Sequence, residues 1–321
     1  MNNAYWLVLF SVALFSNLLG LNLSSALDSV VTIYILIPLL LIPQMLLSGV
    51  IVRFDDLQSR KADKDATLLV GDMMVSRWAF EAMAVKQFRD NKYMSLFFNY
   101  DREISQTYFK AEILTTELTE MAKQAYASLQ KDKSSAAASY RLHILENEIE
   151  KLDLENVIPT FQYSGQLTPA SFTQEVADST KAYLSRIKKF YRTRFKEVRA
   201  GEDLLIGNIN REHGNQWLTE QKMNYFNKAL EALMLNSEVK DLFWLTPNGI
   251  MQKVAPVYKL PDFKNGRAHF LASQKRIFSL YFDTYWFNLS LIAMLCFFLY
   301  IALYFDPVSY THLTLPTKRI V

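Results

Sequence analysis

Polar side chains and prolines set inside long apolar runs are the residues of this chain best placed to do chemistry. Asn17 and Asn22 stand in the run 5–23, Pro38, Pro43 and Gln44 in the run 30–52, and Asn288 in the run 284–305. An amide at membrane depth either lines a pathway for a polar solute or bonds to a neighbouring helix, and the second use is the commoner. Each proline lacks an N–H and crowds the carbonyl four residues back. The second run is therefore expected to bend and to pack against protein that satisfies the freed groups. A gating or re-entrant element and an ordinary kink both fit. Arg77 and Glu81 lie one helical turn apart and can pair; the expectation is a modest surface or interfacial ion pair.

Catalytic machinery is not legible. The sequence has no GxxxxGK[ST], no GxGxxG after a strand and no GxSxG. No HExxH or paired spacing joins His143, His213, His269 and His312. Cys296 is the single cysteine, which excludes an intrachain disulfide and a cysteine-based metal site. No catalytic, cofactor-binding or metal-ligating residue is assigned. Asn22-Leu23-Ser24 and Asn288-Leu289-Ser290 match the glycosylation triplet but lie in or beside apolar runs. The formal net charge of +3 includes Lys318 and Arg319 of the tail, so nothing electrostatic argues for nucleic acid.

The elements that hold these residues follow from how charge is distributed. Asp28 is the only charged side chain before Arg53, and none occurs in 284–305, whereas 53–283 is dense in charge. A soluble globule mixes the two throughout; blocks of this kind point to a membrane protein. Each apolar run reaches the ~20 residues a helix needs to cross a bilayer, and Trp6, Tyr285 and Trp286 suit the interfacial belt. The first run lacks a basic flank and a second follows at once, so it does not read as a signal peptide. Positive-inside counting cannot orient the chain, because the loop between the last two runs is too long.

That loop reads as helical. Residues 71–91 form an amphipathic helix. Ile104, Tyr108, Ala111, Thr115, Leu118, Ala122, Ala125 and Leu129 alternate steps of four and three, a heptad-like seam. A polar turn over 131–138 follows, and Leu142, Leu145, Ile149 and Leu152 continue the spacing, as in an antiparallel hairpin. Thr168 or Ser171 is expected to cap the next helix. That helix carries Phe172, Val176, Tyr183 and Ile187 on one face and ends in a basic cluster, Arg186 to Lys196. The cluster reads as a solvated face near a helix C-terminus, with lipid headgroups or an acidic partner as alternatives. Another helical stretch follows Gly214, and no strand pattern is evident.

The run IPLLLIPQMLLSGVIVRFDDL (37–57), followed by GDMMVSRWAFEAMAVKQFRDNKY (71–93), resembles the permease part of bacterial ABC transporters of the white/G-subfamily type. There, a late span ends in a "PQ…SG" stretch, here Pro43-Gln44 to Ser48-Gly49, before an "SRW-x-x-E-A" helix, here Ser76 to Ala82. Residues 266–289 and 299–306 look like the closing segment of such permeases. The resemblance covers roughly 4–93 and 260–306.

It implies an all-α membrane protein with three transmembrane helices and a large helical extracytoplasmic insert between the second and third. The implied division is 1–53 for two spans, the second proline-broken; 54–100 for a juxtamembrane amphipathic helix region; 101–283 for the insert; and 284–306 for the last span. It further implies an exporter permease in the inner membrane of a bacterium, working with an ATP-binding cassette and a second permease copy. The cassette would carry ATP and Mg, with none held by this chain. The three spans would be the last three of six, with Met1 internal to a longer gene. Asn17, Asn22, Pro38, Pro43 and Gln44 are the pathway candidates, and Leu46 and Leu47 lie where an outer hydrophobic gate would sit, or are plain packing leucines. Residues 307–321 read as a translated sequencing adaptor. The rival is a membrane-anchored extracytoplasmic scaffold, adaptor or sensor, which the long seam favours and the broken second span does not.

Overall fold

A computed structural model describes residues 2–27, 29–52 and 69–305. The expectations placed on 54–68 in part and on 307–321 fall outside them. In chain order the elements are α1 (Asn2–Ala26), α2 (Val30–Leu46), α3 (Leu69–Asp72), α4 (Val75–Arg89), α5 (Met94–Tyr108), a π-helical segment (Phe109–Leu114), α6 (Thr115–Lys131) and α7 (Ala136–Leu154). There follow α8 (Gln174–His213), α9 (Trp217–Tyr225), α10 (Lys228–Met234), β1 (Phe243–Thr246), β2 (Gly249–Gln252), β3 (Gln274–Ile277), β4 (Leu280–Asp283) and α11 (Thr284–Phe305). They fall into two compact bodies, one holding the described residues up to 52 with 69–87 and 261–305, the other 88–260.

In the first body α1 and α11 pack side by side. Tyr285 Oη donates to the Ala4 carbonyl at 3.0 Å, Cys296 Sγ to the Ser11 carbonyl at 3.7 Å and Asn22 Nδ2 to the Leu299 carbonyl at 3.0 Å. Residue numbers rise together along both helices, so the two run parallel. Val8, Trp78, Ala82, Leu289 and Ile292 close the core beside them. Both helices are long and apolar enough to cross a membrane.

The second apolar run departs from expectation at its end. The helix stops at Leu46 after 17 residues, about 25 Å of rise, short of a ~30 Å hydrocarbon core. Two local competitors end it. Ser48 Oγ donates to the Met45 carbonyl and accepts from Val50 N–H, offering the backbone a turn in place of the helix. Gly49 sits at φ +85° with the Phe270 ring where a side chain would stand. No residue of α2 is buried.

The second body is built on the heptad seam. Of its eight positions only Tyr108 is exposed. Leu142, Leu145, Ile149 and Leu152 of α7 face it across the turn, and Val176, Tyr183 and Ile187 of α8 close the same core. Ser135 caps α7 by accepting from Ala138 N–H. The cap of α8 is Thr173, accepting from Val176 N–H. Thr168 and Ser171 instead bond to each other in the preceding loop. Nor does α8 end at its basic cluster. It runs 40 residues to Gly214 at φ +86°, and the cluster is partly neutralised: Arg192 and Lys188 meet Glu112, and Arg194 meets Glu103 at 2.6 Å.

Strands are present where none was expected. β1–β2 and β3–β4 are antiparallel hairpins of four-residue strands, too short for period-two alternation to register. Tertiary contacts hold the first: Ile250 N–H donates to Glu148 Oε1 at 3.0 Å and Tyr140 Oη to the Thr246 carbonyl at 3.1 Å. A side chain at Gly249 would collide with the Glu148 carboxylate.

Candidate functional site

The first body buries a connected set of charges at the head of α11. Arg77 and Glu81 sit on one face of α4, four residues apart, and are 1% and 0% exposed. Arg77 donates through Nε to the Gly71 carbonyl at 2.9 Å and through Nη2 to Asp72 Oδ1 at 2.8 Å. Its guanidinium carbon lies 3.6 Å from the Trp78 ring centroid. Glu81 gathers donors from three directions. Oε1 accepts from Lys275 Nζ of β3 at 2.7 Å and from Leu271 N–H at 3.1 Å. Oε2 accepts from Asn288 Nδ2 of α11 at 3.0 Å and lies 3.5 Å from Arg77 Nη1. Asp72 Oδ2 takes Arg267 Nε at 2.8 Å.

The pair expected at a surface is thus buried. Its further partners lie about 190 residues away in sequence, which no local spacing reveals. Burial disfavours charge on every member. For Glu81 that cost is outweighed by Lys275 and Arg77, and its pKa falls below the usual carboxylate value. For Lys275 burial prevails over the attraction of Glu81, which Arg77 opposes, and its pKa falls as well. Burial likewise lowers Arg77, against the pull of Glu81 and Asp72. Among the described residues three cations and two carboxylates meet here, and no cluster of His, Cys, Asp or Glu fits a metal ion. What the arrangement can do is mechanical. It fastens α4, the β3–β4 hairpin and the first turns of α11 into one piece, and Asn288 completes the joint by also donating to the Trp78 carbonyl at 3.0 Å.

The sequence-derived pathway residues are dispersed. Asn17 is exposed on α1. Asn22 bonds to the Leu18 and Leu299 carbonyls, a link between helices. Pro38 and Leu46 are exposed on α2, and Pro43 and Leu47 are half-buried. Gln44 is engaged at the start of α4: its Oε1 accepts from Ser76 N–H at 3.4 Å and its carbonyl from Ser76 Oγ at 2.5 Å. An N-terminal amide of α4, with no acceptor inside its own helix, is thereby satisfied by the second apolar run. Lys275 and Asn288 were outside sequence reach as partners of Glu81. The one available signal was an uncharged amide at the head of an otherwise apolar run.

No curated protein and no solved structure matches this chain. Residues 3–87, which hold α1, α2, the Gln44–Ser76 contact and the Arg77–Glu81 pair, match the family described as ABC-2 type transporter, and this supports an ABC-2 permease.

Proposed function

We propose that this chain forms part of the transmembrane domain of an ATP-driven exporter of the white/G-subfamily type, in the inner membrane of a bacterium. The observation that carries the reading is the ABC-2 type transporter match over residues 3–87, and the parallel packing of α1 and α11 supports its topology. Two helices crossing a bilayer in the same direction require an odd number of crossings between them, and α2 is the apolar helix that lies between them in sequence. α2 is short for a full span, and local thinning of the bilayer accommodates that at modest cost. Its unburied surface suits lipid, a second permease copy or further spans.

In this reading residues 101–283 lie on the extracytoplasmic side. Nucleotide and Mg belong to an ATP-binding cassette, on the same polypeptide or a separate one, since the sequence has no phosphate-cradling loop. This chain's own part is to exchange between inward- and outward-open arrangements, which a nucleotide or substrate shifts only through differential affinity for the two. Pro38 and Pro43 lie inside the continuous helix α2, where each removes one intrahelical hydrogen bond and loosens it for movement, and Leu46 and Leu47 stand as its outer gate. Gln44 passes movement of α2 to α4, and the buried charges pass it to α11.

The test is two-part. Ser134→Cys, in the exposed turn between α6 and α7, is placed in a Cys296→Ser background and treated with a membrane-impermeant maleimide in intact cells. Labelling is expected; labelling only after permeabilisation overturns the assignment of sides. The tagged chain is then purified from membranes and assayed for vanadate-sensitive ATP hydrolysis. Activity from a stoichiometric cassette subunit supports the exporter. A correctly oriented chain free of any cassette favours the scaffold, which the separate core of the 88–260 body would also serve.

A further inference from the structure

The 88–260 body holds a cavity for which the transport reading has no use. Its volume is about 330 Å³, at the lower end of small-molecule sites. Two kinds of group face it. One is aromatic: Tyr93 and Phe226 stand edge to face, with ring centroids 6.1 Å apart. The other is anionic: Asp101 of α5, Glu202 of α8 and Glu231 of α10 converge from three helices. A cation is already seated at the rim. Lys222 of α9, on an exposed side chain, holds its ammonium 5.1 Å from the Phe226 centroid and 5.7 Å from that of Tyr93. Both distances lie within the reach of a cation–π contact.

We propose that this cavity binds a small organic cation, an ammonium carried on an apolar frame, which takes the place of the Lys222 ammonium over the two rings and pairs with the carboxylates behind it. The wall is under-neutralised for any other class of ligand. Arg199 meets Glu202 at 3.1 Å and the Tyr258 hydroxyl bonds to Asp101, but among the described residues three carboxylates still face one tethered lysine and one partly exposed arginine. An anion would meet repulsion, and a neutral molecule would leave it unrelieved. The groups facing Asp101 are Glu202 and Arg199 of α8, Glu231 of α10 and Tyr258. Burial first, then Glu202, raises its pKa to about 6. A bound cation favours the ionised carboxylate, so affinity should fall as pH drops through that value.

Benzyltrimethylammonium is the probe and benzyl alcohol its neutral counterpart, each titrated by calorimetry into the full chain in lipid nanodiscs. Saturable one-site binding of the cation alone is expected near neutral pH, weakening about tenfold toward pH ~5. Asp101→Asn and Glu202→Gln should each weaken it about tenfold, and Lys222→Gln should tighten it by removing the tethered competitor. The Lys222 side chain is exposed, so that variant keeps the fold and its result stands by itself. Equal binding of benzyl alcohol, absence of saturation, or a Lys222→Gln affinity equal to or weaker than wild type overturns the proposal.

Discussion

Glu81 accepts from Lys275, the Asn288 amide and the Leu271 N–H and lies 3.5 Å from Arg77, so deleting its carboxylate strands Lys275 in a buried setting and leaves Arg77 with Asp72. Removing one partner of a buried ion pair costs about 3–5 kcal/mol, and Glu81→Ala should lower thermal stability accordingly when unfolding is followed in detergent. Glu81→Leu combined with Lys275→Met should recover most of that loss, because the desolvation of both charges disappears with them. A Glu81→Ala variant as stable as wild type would show that water reaches the cluster. Asp101 carries the opposite lesson. Its folded pKa of about 6 exceeds the ordinary 3.8, so between those values the folded state binds more protons than the unfolded one. Its contribution is therefore most favourable below the lower value and is lost as pH rises through the upper. With the group partly solvated, Asp101→Asn should stabilise the chain by about 1–2 kcal/mol near neutral pH and by almost nothing near pH ~4. Denaturant midpoints at the two pH values decide this; an equal shift at both would refute the coupling.

Element boundaries are set by single caps. Thr173 accepts from the third amide beyond it and starts α8. Thr173→Ala should cost about 1 kcal/mol, seen as a lower melting temperature, whereas Ser171→Ala should be nearly silent. The sequence placed that cap two to five residues early, because Thr168, Ser171 and Thr173 have similar chemistry and only the loop's own hydrogen bonding selects among them. Seams were easier to read. Spacings of three and four from Ala111 to Leu129 and from Leu142 to Leu152 report burial directly, since both stretches face one core. The hairpins were not readable: β1–β2 is fastened by Glu148 and Tyr140 of α7, and that information lies about 100 residues away. At the charge cluster, Arg77 and Glu81 were visible as a pair, but their burial depends on Lys275 and Asn288. The end of α2 was overrun because residues 47–52 are as apolar as the helix before them, while the stop comes from Ser48 and Gly49.

At the scale of the whole molecule, the parallel run of α1 and α11 is the feature on which the topology rests. Paired cysteines test it: Ser11→Cys with the native Cys296, and separately, in a Cys296→Ser background, Asn22→Cys with Leu299→Cys, should both form disulfides under mild oxidation. Antiparallel helices could satisfy one pair but not both, and failure of either would remove the argument for an odd crossing between them. The helical body holds a second large-scale consequence, in the length of α8. Forty residues make a rod of about 60 Å, and its buried positions crowd between Val176 and Tyr191, thinning to Val198, Glu202 and Ile209 beyond. The part beyond Tyr191 is held by α5: Arg194 pairs with Glu103 at 2.6 Å, and a side chain at Gly201 would stand 3.2 Å from the Tyr100 ring. Glycine at 201 thus lets the two helices approach just where Asp101 and Glu202 line the cavity, and a bulkier residue there would part them and widen it.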